Sequence, residues 1–201
     1  HKIQPMKMYE LFLTCPKGLE KVCEKDIKHI IKKCDLFDGG LKTTGSLKDI
    51  YKINLYSRVG MNLLIHLNSF SFSNINDFYK NIYQYEWENL IHPKMTFSIS
   101  STIINKNILF NNSQFASLKA KDAIVDKIRR LRKTRPSVSK KNPEIEIKLI
   151  INKKTCAVYL NSSGNPLYKR EYKKTTHKAP LNEALASGLI YLADWNKKTH
   201  L

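Results

Sequence analysis

KDAIVDKIRRLRKTRPSV, residues 121–138, carries seven cationic side chains against two acidic ones and breaks off at a proline. Phe115, Leu118, Ile124, Ile128 and Leu131 recur at three- and four-residue spacings, which predicts a long helix with these five on its buried face. Asn112 or Ser113 can cap its start. It must end at Arg135, because the residue before Pro136 is pushed out of the helical region. Lys119, Asp122, Asp126, Arg129, Arg130 and Lys133 share the opposite face. Signs alternate on its early turns, and from Arg129 onward every charge is positive.

The surroundings of this helix predict an α/β unit. Downstream, EIEIKLII (144–151) alternates, with Ile145, Ile147, Leu149 and Ile151 on one side, and after the turn at 152–154 the run Cys156 to Leu160 returns as its partner strand. Upstream, Ile75, Phe78, Ile82, Leu90 and Ile91 mark a helix reaching His92-Pro93, and Thr96 to Ile103 reads as a strand. The polar, turn-rich SFSFSNIN (69–76) sets a boundary. Before it, Tyr9 to Thr14 is a strand, and Leu19, Val22, Cys23, Ile27, Ile30, Ile31 and Cys34 predict one continuous amphipathic helix. A turn at Asp38-Gly39-Gly40, a strand from Leu41, a Ser46-capped helix and a strand from Met61 to Leu67 complete an order expected of a ferredoxin-like α+β unit. Beyond Gly164 a basic arm, LYKREYKK (167–174), leads to a largely apolar helix with Pro180 at its first position and Leu181, Leu185, Ile190 and Leu192 after it. Such a helix needs a partner to cover it, so the chain is expected to be the front part of something longer. The expected division is residues 8–70, 71–164 and 165–201.

With 201 residues and 42% apolar composition the chain can fill one large core or two small ones. Its formal charge of +18 favours phosphates or anionic surfaces as partners. A chain crowded with Lys, Asn and Ile owes part of that excess to compositional bias, but bias would spread it evenly. Residues 1–115 hold 15 cations against 10 acids, residues 116–154 hold 13 against 4, and residues 155–201 hold 7 against 3. Half of the net charge therefore sits in a fifth of the chain. Cations at a helix C-terminus complement its dipole for about 0.3–1 kcal/mol each, which accounts for one or two of them. It does not account for Arg135, Lys140 and Lys141 beyond the helix end. The expected phosphate-binding residues are Lys119, Lys121, Arg129, Arg130, Arg132, Lys133, Arg135 and Lys140, with Arg170 and Lys173 from the later arm.

Other chemistries find little support. No run approaches the ~20 apolar residues that span a bilayer. Cys15, Cys23, Cys34 and Cys156 form no CxxC pair, and His1 to Glu10 lacks the apolar core of a secretory signal, so reduced, core-filling thiols and a soluble cytoplasmic protein are expected. The six histidines are scattered without metal-ligand spacing, and neither GxGxxG nor a phosphate-binding GxxxxGK[ST] loop occurs. No catalytic, cofactor-binding or metal-ligating residue is assigned.

In order along the chain, FLTCPKGLE (12–20), YKINLYSR (51–58), FASLKAKDAIVD (115–126), RPSV (135–138), PEIEI (143–147), LNSSGNPLYKREY (160–172) and APLNEALASGLIYLADW (179–195) resemble the front half of bacterial THUMP-containing rRNA guanine-N2 methyltransferases. The resemblance implies a ferredoxin-like domain, a THUMP domain that holds structured RNA, and the first helix of a Rossmann-like domain using S-adenosylmethionine. That family's glycine-rich cofactor segment and Asn-Pro-Pro-Tyr loop lie downstream of the APLNE-like helix and are not in these residues. The similar GNPLY (164–168) lacks the second proline and has no complete nucleotide-binding sheet before it. Asn161 stands where the family usually has Asp, and Glu171 where it has Gly, the latter placing a negative charge inside the basic arm. The implied partners are structured RNA, large-subunit rRNA in particular, and a methyltransferase domain in the same polypeptide, with no membrane. The competing readings are a stand-alone basic ribosome-assembly factor and the THUMP module of a tRNA- or DNA-modifying methyltransferase.

Overall fold

The structure is a computed structural model and describes residues 7–92, 94–105, 109–110, 112–139, 141–170 and 180–195. The chain forms two compact units, one of residues 1–65 with 162–201 and one of residues 66–161.

The first unit contains β1 (Met8–Thr14), α1 (Glu20–Ile27), β2 (Cys34–Phe37), β3 (Gly40–Ser46), α2 (Leu47–Tyr56) and the opening residues of β4 (Asn62–Ser71). Its strands lie in the order β2-β3-β1-β4 and every pair is antiparallel. Leu13 on the central β1 faces Leu41 on one side and Leu63 on the other, and all three are fully buried. Val22, Cys23 and Ile27 of α1 and Ile50 and Ile53 of α2 complete this core. Ser46 and Asp49 form a reciprocal capping box at the start of α2, as the serine there predicts. The helix expected to run unbroken from Leu19 to Cys34 is instead cut at Ile27. The amides of Ile30 and Ile31 both turn back to the Ile27 carbonyl, and Cys34 opens β2. Ile31 still reaches the core from that turn, so the apolar spacing is satisfied without further helix, while Cys34 to Phe37 gain a ladder against Gly40 to Thr43.

Later residues belong to this unit as well. Leu167 is buried in its core and its amide donates to the Met61 carbonyl at 2.7 Å. The last helix, α5, runs from Glu183 to Leu192. It starts three residues after Pro180, because Asn182 caps it by accepting from the amides of Ala184 and Leu185. One of its faces rests on the first unit. A Cβ on Gly188 would lie 2.3 Å from Leu19 Cδ1, so any larger residue here would have to displace the buried Leu19 side chain. The Tyr191 hydroxyl donates to Asp26 Oδ1 at 3.0 Å. The other oxygen of the buried Asp26 accepts from Ser57 Oγ and from the amides of Arg58 and Val59 at 2.7–3.0 Å. Leu181, Leu189 and Leu192 remain about half exposed.

The second unit holds the rest of β4, then α3 (Ile75–Gln84), a single 3-10 turn (Trp87–Asn89), β5 (Thr96–Ile103), α4 (Ser113–Arg132), β6 (Ser137–Val138), β7 (Ile145–Asn152) and β8 (Thr155–Asn161). β8 pairs antiparallel with β7, β7 parallel with β5, and β5 parallel with β6. Two parallel neighbours need a long crossover, and α4 supplies it between β5 and β7. Phe72, Phe78, Trp87, Phe97 and Phe110 form the aromatic heart of the core. Three expectations change here. Residues 69–71 extend β4 rather than forming a turn. The helix expected to reach His92 ends at Gln84, where the chain bends so that Trp87 is buried with its indole N–H on the Ile82 carbonyl at 2.6 Å. The inner face of α4 consists of Ala116, Ala120, Ala123, Ile124, Val125 and Ile128, whereas Leu118 and Leu131 are 48% and 51% exposed. The small alanines bring the helix backbone close to the aromatic core, and that rotates the two leucines outward.

Candidate nucleic-acid interface

The basic stretch resolves into three parts with different occupations. In the early turns of α4 the cations are engaged locally. Lys119 lies 5.7 Å from the centre of the Phe115 ring, and Lys121 pairs with Asp122 at 3.0 Å. In the middle, α4 meets α3 through tyrosines spaced one turn apart. Tyr79 donates to Asp126 at 2.6 Å, and burial together with this carboxylate pushes its hydroxyl pKa up to about 12. Tyr83 stacks on Tyr79, lies 5.5 Å below Lys127 Nζ, and accepts from Arg130 at 3.3 Å. The last acid of the helix is thus consumed by a neighbour, and every charge beyond it on α4 is positive.

The third part is the end of the helix. Arg129, Arg130 and Arg132 occupy its last turn, and Lys133 closes it in the left-handed conformation with φ 56°, donating its amide to the Arg129 carbonyl. Arg132 donates to the carbonyl of Glu88 in the 3-10 turn and so ties the helix end to that turn. Arg129, Lys133 and Arg135 are exposed, and among the described residues their side chains form no ion pair or hydrogen bond. RPSV is held from beneath. Pro136 is buried, Ser137 and Val138 pair with Thr96 and Phe97, and the Ser139 amide donates to the Phe97 carbonyl. The two-residue β6 is too short to leave a periodic signal, yet it fixes where Arg135 is presented.

The arm after Gly164 behaves differently from its composition. Arg170 sends its guanidinium to the carbonyls of Asn54, Leu55, Ser57 and Leu167 at 2.6–3.0 Å, covering the unpaired end of α2. Its donors are occupied inside the first unit, so it is a structural clamp rather than an exposed cation. Lys140 and Lys173 lie outside the described residues. Sequence reasoning missed Lys127 and Tyr83, whose juxtaposition depends on how α3 packs on α4. The tyrosines at i and i+4 of α3 were the available signal.

Among the described residues no group of three or more His, Cys, Asp and Glu could hold a metal ion, and no helix is long and apolar enough to cross a membrane. GNPLY does not fit a methyl-donor or catalytic loop, because Leu167 is core and the Pro166 carbonyl is taken by the Lys169 amide.

Comparison with known proteins agrees with this architecture. Residues 10–61 match the RlmL ferredoxin-like domain and residues 72–161 match the THUMP domain. The chain thus carries a THUMP domain preceded by an RlmL-type ferredoxin-like domain. Its relatives include the ribosomal RNA large subunit methyltransferase K/L of Marinomonas sp. (strain MWYL1), 34% identical over 190 residues that make up 94% of this chain and 26% of that protein. The chain thus spans about a quarter of the length of this relative. In solved structures, a predicted N6-adenine-specific DNA methylase from Listeria monocytogenes superposes with a TM-score of 0.79 at 21% identity, covering 94% of this chain and 49% of that one. A putative methyltransferase, SMU.472, complexed with SAH, superposes with a TM-score of 0.79 at 23% identity over 94% of this chain and 50% of that one. At these identities the two structures bear on the fold alone.

Proposed function

We propose that this chain is the RNA-gripping portion of an rRNA guanine-N2 methyltransferase and holds structured RNA for a catalytic domain elsewhere in the whole protein. The observation that carries this reading is the end of α4, where Arg129, Lys133 and Arg135 stand exposed and, among the described residues, without partners, beyond the last paired acid. Cations that are not spent inside the fold are available to phosphates, and folded RNA is held mainly through its backbone and shape. S-adenosylmethionine would bind the remainder of the protein, a reading supported by the methyltransferase name of the relative. A large-subunit rRNA substrate is consistent with the name of the relative, and the cytoplasm is where such RNA is met.

The test is binding of a structured RNA hairpin, measured by fluorescence anisotropy across salt concentration. Contact with four to six phosphates gives log K against log salt a slope of about −4 to −5, at roughly 0.9 per phosphate. The variant Arg129→Glu/Lys133→Glu/Arg135→Glu is expected to lose at least tenfold in affinity and to flatten the slope by about 2–3. Unchanged affinity and slope in a variant that still melts cooperatively would overturn the assignment.

A further inference from the structure

On the flank of α3 away from α4, the second unit carries a cavity of about 510 Å³, within the size range of small-ligand sites. Its polar lining is unusual for so basic a protein. Asn68, Asn81, Gln84 and Asn89 contribute four amides, Glu86 a carboxylate and Tyr85 a ring, and no cation is among the described residues that line it. Several amide atoms are already fixed. Asn68 Oδ1 accepts from the Ser69 amide, Asn81 Nδ2 donates to the Asp77 carbonyl, and Asn89 Nδ2 donates to Glu86 Oε2, all at 2.9 Å. These bonds orient the side chains and leave Asn68 Nδ2, Asn81 Oδ1, Asn89 Oδ1 and both ends of the Gln84 amide without a partner among the described residues.

We infer that this cavity receives a single unpaired nucleobase of the RNA whose phosphates the end of α4 grips, an inference that rests on the RNA-binding reading above. A phosphate is disfavoured by the chemistry of the lining, whose described residues offer a carboxylate and no positive charge. A base edge presents donors and acceptors side by side, which amides complement from either end, and a carboxylate accepts from an exocyclic amino group. Tyr85, tilted against Trp87 at 4.7 Å between ring centres, supplies the aromatic surface on which unstacked bases settle. The position fits as well. Arg132 binds the carbonyl of Glu88, which sits between Glu86 and Asn89 in the same 3-10 turn, so the cationic helix end and the amide cavity adjoin one short segment. A base in a duplex cannot present its pairing edge to such a cavity, so the ligand is a nucleotide in a bulge or loop.

The experiment compares the whole chain with Asn81→Ala/Gln84→Ala on a fully paired RNA hairpin and on the same hairpin with one bulged nucleotide, A, C, G or U in turn. Both substitutions sit on the outer side of α3, where alanine is the best helix former, and a thermal melt checks the fold. The unaltered chain is expected to prefer at least one bulged hairpin over the paired one by about fivefold or more, the discrimination that a good amide-to-base contact gives. The variant should lose this preference while keeping its affinity for the paired hairpin and its salt slope. An unaltered chain indifferent to the bulge, or a variant that retains the preference, overturns the cavity assignment and leaves the phosphate grip standing. Absence of salt-dependent binding to any hairpin overturns both.

Discussion

Arg170 shows how little a charge in the sequence says about its use. It lies in a basic arm, yet its guanidinium spans three backbone carbonyls at the end of α2 and that of Leu167, a geometry that a planar five-donor fork can satisfy and an ammonium cannot. Replacing it with Met leaves partly buried carbonyls unpaired, at about 1–3 kcal/mol. Arg170→Lys should recover only a fraction of this stability in a urea melt, and both variants should bind RNA as the parent does. A lysine variant that restored full stability, or either variant weakening RNA binding, would contradict the clamp. Two thiols give a parallel lesson: burial alone pushes the buried Cys156 up to about 12, and partial burial with the nearby Glu24 carboxylate pushes Cys34 up to about 11. Both are therefore protonated at neutral pH; Cys156 fills the core as a small apolar side chain, while Cys34 donates its thiol to Glu24.

At the scale of the element, α4 is where sequence pattern and packing diverge most. Its start follows from the sequence, with Asn112 taken of the two caps on offer, but the helix ends at Arg132 rather than at the expected Arg135, because Lys133 turns into the left-handed region first. Its apolar periodicity also points to Leu118 and Leu131 as core, and the protein uses alanines instead. Alanine scores weakly as a hydrophobe, so a stripe at 116, 120 and 123 is hard to see, although all three are fully buried in one cluster with Phe78 and Phe110. Ala123→Leu is accordingly expected to destabilise the protein by about 1–3 kcal/mol through overpacking. Leu131→Ser should stay within about 0.5 kcal/mol, because the leucine is half exposed. Denaturant midpoints for the two variants measure the contrast, and a costlier Leu131 change would restore the sequence-based face. The break of α1 at Ile27 has the same origin: strand pairing of Cys34 to Phe37 with β3 outweighs a helical pattern that nothing local forbids.

At the scale of the whole molecule the question is whether RNA reads total charge or its placement. Lys28, Lys32 and Lys33 are exposed in the first unit, and reversing them changes net charge by as much as reversing Arg129, Lys133 and Arg135. Placement predicts that the first-unit triple costs less than about threefold in hairpin affinity at about 150 mM salt, where fields between exposed charges are screened beyond roughly 8 Å. Equal losses from both triples would mean that bulk charge, and no particular surface, attracts the polyanion. The sequence by itself determined the α+β class, the long helix ahead of the final hairpin and the concentration of cations at its end, because composition, alternation and helical spacing are local properties of the chain. Tertiary structure alone decided which cations remain available, since Asp126, Tyr83, the Glu88 carbonyl and the end of α2 come from segments remote in sequence from the groups they engage. It also assembled the amide cavity from β4, α3 and the turn after it, for hydrogen bonds and cavities depend on distances that only the folded chain sets.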